Sequence, residues 1–257
     1  MDKNSSTNCL NEQRKRELDT LLENISFKPD ANGLEIGSGN CYQSNFLKKK
    51  FSFLISTEYD KNAIDKKNLK DILFLLCDAQ NLCFKKNKFN VIYSSNVFEH
   101  IPNKHEALKE MTRVLKDDGV MIHIMPSRTW KILNFFGHYL NLLRSVIIML
   151  ILKKEKPPEK TINKKENVEE KKKIMRFFIP PIHGTYKTHF EEYICFGKNR
   201  WIVFFEKNNM KIEKIIKMPL YSGYMFGFER LRRSGEFLGF SSSYAYFVSK
   251  TIKKSSK

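Results

Sequence analysis

The residues most able to do chemistry fall into three groups. The first is Glu35-Ile36-Gly37-Ser38-Gly39, which follows directly on the short apolar run starting at Gly33. Its two glycines let the backbone turn tightly and keep side chains out of a ligand's way. The second is Glu58, about twenty residues further on, where a carboxylate can accept hydrogen bonds from ribose hydroxyls. The third is Asp78 in Cys77-Asp78-Ala79, a carboxylate able to accept from an exocyclic adenine amine. A dinucleotide loop, Gly-x-Gly-x-x-Gly, is the rival reading, but Tyr42 occupies its third glycine position and would obstruct close helix–strand packing. Glu35 would also repel a pyrophosphate, whereas it suits an ammonium or a sulfonium. An amino acid, a ribose and an adenine with no phosphate are the parts of S-adenosylmethionine (SAM).

Further candidates stand apart from these. His100 follows the fourth predicted strand, and an imidazole titrates near neutrality, as a base acting on an acceptor hydroxyl must. The same histidine could instead only order its loop. His183, in Pro180-Pro181-Ile182-His183-Gly184, and Glu192, in Glu191-Glu192, are second candidates for an acceptor pocket, although a histidine in such a turn is more often structural. The five cysteines are scattered and form no C-x-x-C pair. No zinc site, and no metal, is therefore expected, and the cysteines read as free thiols of a reducing compartment.

The elements that must position these groups alternate. A polar lead-in over residues 1–30 holds one helix with a stripe of Leu18, Leu21, Leu22 and Ile25. Strands are predicted at 33–36, 53–57, 72–76, 89–93 and 120–125, with helices over 42–50, 61–67 and 103–115 and a turn at Asp117-Asp118-Gly119. Apolar strands alternating with helices imply a parallel sheet covered on both faces. Further on, 201–207 reads as a helix, and 210–217 and 244–250 as two more strands. The expected fold is α/β: a Rossmann-like, seven-stranded, mostly parallel sheet with helices on both faces, an antiparallel last strand, and a helical and loop insertion before strand six. By segment, 1–30 is the lead-in, 31–130 the cofactor-binding core, 131–180 the insertion and 181–257 the part completing sheet and acceptor pocket.

Within the insertion, 131–152 is strongly apolar, with Asn134, His138, Asn141 and Ser145 at helical spacing on one face. A span of the bilayer would put strands six and seven on the far side from the other five, so it is rejected. The helix either caps the acceptor pocket or a dimer contact, the favoured reading, or lies in a membrane interface through 131–154, with the Lys/Glu run of 153–173 as a mobile loop near anionic headgroups. The formal net charge of +18 admits nucleic acid or membrane as partner, but an AT-rich coding sequence inflates Lys, Asn, Ile and Phe in the same way. Lys greatly outnumbers Arg, the residue suited to bidentate phosphate recognition, which argues against nucleic acid. Residues 1–16 lack the apolar core of a signal peptide, so a cytoplasmic location is expected, with the inner membrane face as the peripheral variant.

Over about 33–126 the chain resembles class I SAM-dependent methyltransferases of the type 11 group. Leu34–Asn40 matches the E-I-G-S-G motif, Ser56–Asp60 the acidic second-strand motif, and Cys77–Leu82 with Phe84 the D-A-x-x-L-P-F segment. Ser94–Pro102 matches the fourth-strand segment, and Glu110–Lys116 with Gly119 the R-V-L-K-P-G-G segment. The resemblance implies Glu35, Gly37 and Gly39 at the methionine end, Glu58 with Tyr59 at the ribose, Asp78 and Ala79 at the adenine, and Asn96 under the cofactor near the transferred methyl. Cys41 replaces a third glycine and Cys83 a proline, and there is no N-P-P-Y motif of an adenine-N6 DNA methylase. The later residues, from His183-Gly184 through Trp201 to Leu220–Tyr224, look similar to methyltransferases of bacterial surface-polysaccharide synthesis. That implies a small-molecule or glycan hydroxyl as acceptor, a lipid-linked saccharide included.

Overall fold

The computed structural model describes residues 3–151, 179–221 and 229–251. The charged run of 153–173 and residues 222–224 of the last motif lie outside the described residues.

The strands are β1 (Asn32–Ile36), β2 (Phe53–Glu58), β3 (Leu73–Leu76), β4 (Phe89–Ser95), β5 (Leu115–Pro126), β6 (Met210–Lys217) and β7 (Ser243–Lys250). They form one sheet in the order β3-β2-β1-β4-β5-β7-β6. β1 to β5 pair in parallel, and β7 runs antiparallel to both β5 and β6. This is the class I methyltransferase fold, with the expected strand count and antiparallel end.

The helices are α1 (Lys3–Glu23), α2 (Ser44–Leu47), α3 (Lys104–Val114), α4 (Arg128–Ile151), α5 (His189–Cys195), α6 (Lys198–Lys207) and α7 (Glu229–Phe237). α3 starts where Asn103 Oδ1 accepts from the Glu106 N–H, a side-chain cap. Its Ala107, Leu108, Met111 and Val114, at helical spacing, are buried on one face of the sheet beside Trp201 and Phe205 of α6. Leu18 and Leu21 of α1 are buried on the other face. β7 serves both: Tyr246 and Val248 join the first core, Ala245 and Phe247 the second, as the two-residue period of a strand dictates.

Several local expectations shift. The helix expected over 42–50 is only α2 followed by a 3-10 turn at Lys48–Lys50, and that over 61–67 is two 3-10 turns. The turn at Asp117-Asp118-Gly119 lies within β5, where the register to β4 slips between Phe89/Leu115 and Val91/Val120. The extra residues bulge and the strand continues. β3 is apolar but not covered: it is the sheet edge, and Leu73 and Leu76 are about half exposed, at 54% and 51%.

The largest departure is α4. Lys131, Gly137 and His138 are buried, Asn134 and Asn141 are half-buried and Ser145 is exposed, while Phe136, Leu140, Leu143 and Ile147 are exposed. Among the described residues nothing covers that apolar face. No described helix is long and apolar enough to cross a membrane.

Candidate active site

In an open parallel sheet, ligands bind beyond the carboxyl ends of the strands where the strand order reverses. Here the reversal lies between β1 and β4. A cavity of about 580 Å³ opens there, bordered by Gly37, Ser38 and Gly39 after β1, Glu58 at the end of β2, and Ser95, Asn96 and His100 after β4.

The glycine loop is shaped as its chemistry requires. Gly37 has φ +68°, and a Cβ there would sit 2.4 Å from Val97 Cγ2. Gly39 has φ +55°, yet a Cβ there would meet nothing within 4 Å. Its empty side is thus open space beside the cavity. Cys41, at the third glycine position, also takes a left-handed φ of 59° and is buried. Burial pushes its thiol above the ordinary range, so it is an inert core group.

Glu58 is pinned by the backbone: its Oε2 accepts from the Gly39 N–H at 2.8 Å, and its Oε1 from the Tyr59 and Asp60 N–H groups at 2.8 and 3.0 Å. The second-strand acid thereby fixes the loop after the first strand and stays at the cavity wall. Asp60 caps the next turn, accepting from the Asn62 N–H at 2.9 Å. Asn96 is held at φ 53° by its N–H bond to Ile124 O, 2.8 Å.

Other candidates stand elsewhere. Glu35 lies buried beneath the loop, its Oε2 accepting from Ser44 and Ser56 Oγ at 2.5 and 2.6 Å. Desolvation raises its pKa, and it ties β1 to α2 and β2 instead of reaching the cavity. Tyr59 is 77% exposed, and neither it nor Asp78 nor Ala79 borders the cavity. Asp78 instead accepts from Gln80 N–H and Nε2 at 2.8 and 3.1 Å. Glu192 is fully buried in an ion pair with Lys131 Nζ, 2.5 Å, which fastens α5 to α4.

The structure does bring His100 and His183 together. Their Nε2 atoms are 3.1 Å apart although the residues are 83 positions apart in the chain. Beside the pair lies Glu99, completely buried, its Oε1 3.4 Å from His183 Nε2 and 4.0 Å from His100 Nε2. Burial pushes the His100 imidazole below its ordinary pKa, against the pull of Glu99.

Sequence reasoning placed the lead-in helix but missed that α1 reaches the cavity. Arg14 borders the cavity, and its Nη1 donates to Glu17 Oε2 at 2.9 Å and Ser95 Oγ at 3.2 Å. Glu17 is in turn buried, accepting from Tyr221 and Ser243 hydroxyls. The available signal was an arginine in helical phase with Leu18 and Leu21 on an otherwise apolar stripe. Arg14 places a permanent positive charge beside the glycine loop, a partner for a carboxylate.

Residues 34–123 match the profile of the methyltransferase domain family. A demethylmenaquinone methyltransferase of Thermotoga maritima is 31% identical over 133 residues, which are 48% of this chain and 56% of that protein. The chain thus spans little more than half the length of this curated relative. Among solved structures, the methyltransferase of Haloferax volcanii in complex with its Trm112 activator superposes with a TM-score of 0.60 at 12% identity, covering 97% of this chain and 95% of that one. A SAM-dependent methyltransferase from Aquifex aeolicus gives 0.55 at 11% identity, covering 96% and 98%. At such identities these two show the fold.

Proposed function

We propose that this chain, whose residues 34–123 are a methyltransferase domain, moves a methyl group from SAM to a hydroxyl of a small, amphiphilic acceptor, a lipid-linked saccharide being the form that fits best. The observation that carries the cofactor reading is the open side of Gly39 next to the pinned Glu58 carboxylate. That cradle admits a ribose without a side chain in its way.

Bound SAM supplies a methyl already activated on a sulfonium. In this reading Glu58 accepts from the ribose hydroxyls, with Tyr59 flanking it, and Arg14 holds the methionine carboxylate by charge-assisted hydrogen bonds. Gly37 and Gly39 let the chain approach closely, and Glu35 supports the loop from below. Asp78 and Ala79 take the adenine in this reading. Asn96 lies under the reacting centre. Since the leaving group is good, the protein's work is alignment in a dry site. His100, kept neutral by burial, stands at the rim ready to accept the acceptor's proton, and His183 shares that position. Glu192 acts at one remove, by holding α5.

The acceptor reading rests on α4. An apolar face that includes Phe136 at 65% and Leu143 at 57% exposure, carried on a chain of net charge +18, suits the surface of an anionic bilayer. The protein then works at the cytoplasmic face and meets its substrate there.

Isothermal calorimetry with SAM and its demethylated product tests the first part: one molecule should bind per chain, and absence of heat with either sinks the reading. Flotation with vesicles containing anionic lipid tests the second: the protein should float, and Phe136→Glu with Leu143→Glu should leave it at the bottom. If wild type stays at the bottom, the membrane contact is wrong.

A further inference from the structure

We propose that Glu99, His100 and His183 bind a divalent transition-metal ion at the acceptor side of the cavity. Both Glu99 carboxylate oxygens are buried without a hydrogen-bond partner among the described residues. A buried carboxylate left in that state is costly unless a cation or donor meets it. The two imidazole Nε2 atoms stand 3.4 and 4.0 Å from its Oε1, side by side.

The spacing is that of a ligand set. The separations of 3.1, 3.4 and 4.0 Å define a triangle. The point equidistant from its three corners lies about 2.1 Å from each, which is a metal–imidazole or metal–carboxylate bond length. The three donors are spread unevenly around that point, the widest gap lying between His100 and Glu99, which leaves room for further ligands. His100 borders the cavity, so an exchangeable position opens toward it. Two imidazoles and one carboxylate favour zinc, cobalt, iron or manganese over magnesium or calcium, which prefer all-oxygen sets.

The surroundings hold the donors in place. The Thr185 N–H donates to Glu99 O at 3.2 Å, docking the 183–185 segment on the Glu99 backbone. Gly184, at φ +81°, makes that approach feasible, because a Cβ there would stand 2.9 Å from Glu99 O. Trp130 packs edge-on against the His183 ring, centroids 4.8 Å apart. A nearby cation, Lys104, turns its ammonium to Ile101 O at 2.9 Å and Thr185 Oγ1 at 3.1 Å.

This inference deepens the proposed hydroxyl transfer and rests on it for its purpose, though not for its test. The ion polarises the acceptor hydroxyl, whose proton passes to solvent. The oxygen's electron pair forms the new O–CH₃ bond while the C–S bond breaks and its pair stays on sulfur. With the ion bound, both imidazoles are ligands; the role of base falls to His100 only in the metal-free protein.

The full-length protein, stripped with chelator, is titrated with Co²⁺ and with Zn²⁺. One ion per chain should bind, with the visible absorption of a low-coordinate Co²⁺ that Zn²⁺ then displaces. His183→Ala and Glu99→Gln should each weaken binding by more than the roughly 10–100-fold typical of losing a supporting residue, while leaving calorimetric uptake of SAM within about threefold. No stoichiometric uptake by the wild type, or uptake unchanged in both variants, overturns the metal site and leaves a histidine pair with Glu99 as counter-ion. Loss of SAM uptake in the wild type would instead strike the proposed function, whatever the metal titration shows.

Discussion

Glu58→Ala separates a ribose contact from a loop brace. The wild-type carboxylate has about four lone-pair directions, and three backbone N–H groups occupy most of them. The ribose hydroxyls therefore compete for what remains, so one strong and one shared hydrogen bond is a reasonable ceiling. Hydrogen bonds to a charged partner contribute about 1.5–3 kcal/mol each. We expect a loss of about 2–4 kcal/mol, which is roughly 30- to 1000-fold in the dissociation constant of the demethylated product. The N–H groups left behind are part-exposed, so water replaces the carboxylate and folding stability should fall by no more than about 1 kcal/mol. Calorimetry with a product analogue lacking the ribose hydroxyls completes a cycle. The analogue should bind more weakly than the product to wild type, but equally to Glu58→Ala. If the analogue suffers the same loss in both proteins, Glu58 only braces the loop; if the variant binds the product within about threefold of wild type, it does neither.

Other substitutions read other parts of the site. Gly37→Ala drives a methyl into Val97 in a left-handed backbone and should destabilise by about 2 kcal/mol or more in urea melts, whereas Gly39→Ala meets open space and should cost only about 1 kcal/mol while weakening cofactor binding by calorimetry. Equal effects on stability would contradict the cavity described. His123 is buried beside Ser94 Oγ and stacked on Phe205, and burial pushes its pKa down to about 3. It stays neutral in the fold but takes a proton in the unfolded chain below about pH 6.5, so its contribution is full above that pH and is lost as pH falls toward 3. It should remove about 2 kcal/mol between pH 8 and pH 5, and His123→Phe should flatten that part of the stability profile; an unchanged slope refutes it. Lys131→Ala leaves Glu192 buried without its ion-pair partner and should cost about 3–5 kcal/mol, whereas Lys131→Met with Glu192→Leu should recover most of it in the same thermal melt.

The cavity-lining positions at the strand ends were legible because they are local, whereas Glu35, Tyr59, Asp78 and Ala79 fall outside that lining. Each element is a loop read directly off the strand before it: Gly37–Gly39 after β1, Glu58 closing β2, Asn96 after β4. Apolar runs separated by turn residues fixed those strands without knowledge of their neighbours. Sequence position did not reveal edges. Leu73–Leu76 reads as an interior strand, yet β3 has a partner on one side only. Nor did amphipathicity give orientation: the stripe of Asn134, His138, Asn141 and Ser145 lies on a helix, but of its members only His138 is buried. The Lys131–Glu192 pair is buried between α4 and α5, and Phe136, Leu140, Leu143 and Ile147 stay exposed.

The proposed acceptor side is hard to read for a related reason: its parts meet only through tertiary packing. His183 reaches His100 because Gly184 and Thr185 dock on the Glu99 carbonyl and Trp130 of α4 backs the ring. Arg14 reaches the glycine loop because Leu18 and Leu21 bury their stripe under the sheet. No spacing rule links residues 14, 99 and 183, and a search for metal ligands at short intervals passes over a Glu-His pair completed 83 residues later. The division has a physical consequence. Substitutions around 128–131 and 183–197 act on the orientation of His183 and α4, so they should alter acceptor use while leaving the cofactor cradle, built from β1, β2 and β4, unchanged. A Trp130→Ala variant tests this. It frees the His183 ring, so turnover with acceptor should fall at least tenfold while the affinity for the demethylated product stays within about twofold. A matching fall in both would mean that the two halves of the cavity are one cooperative unit.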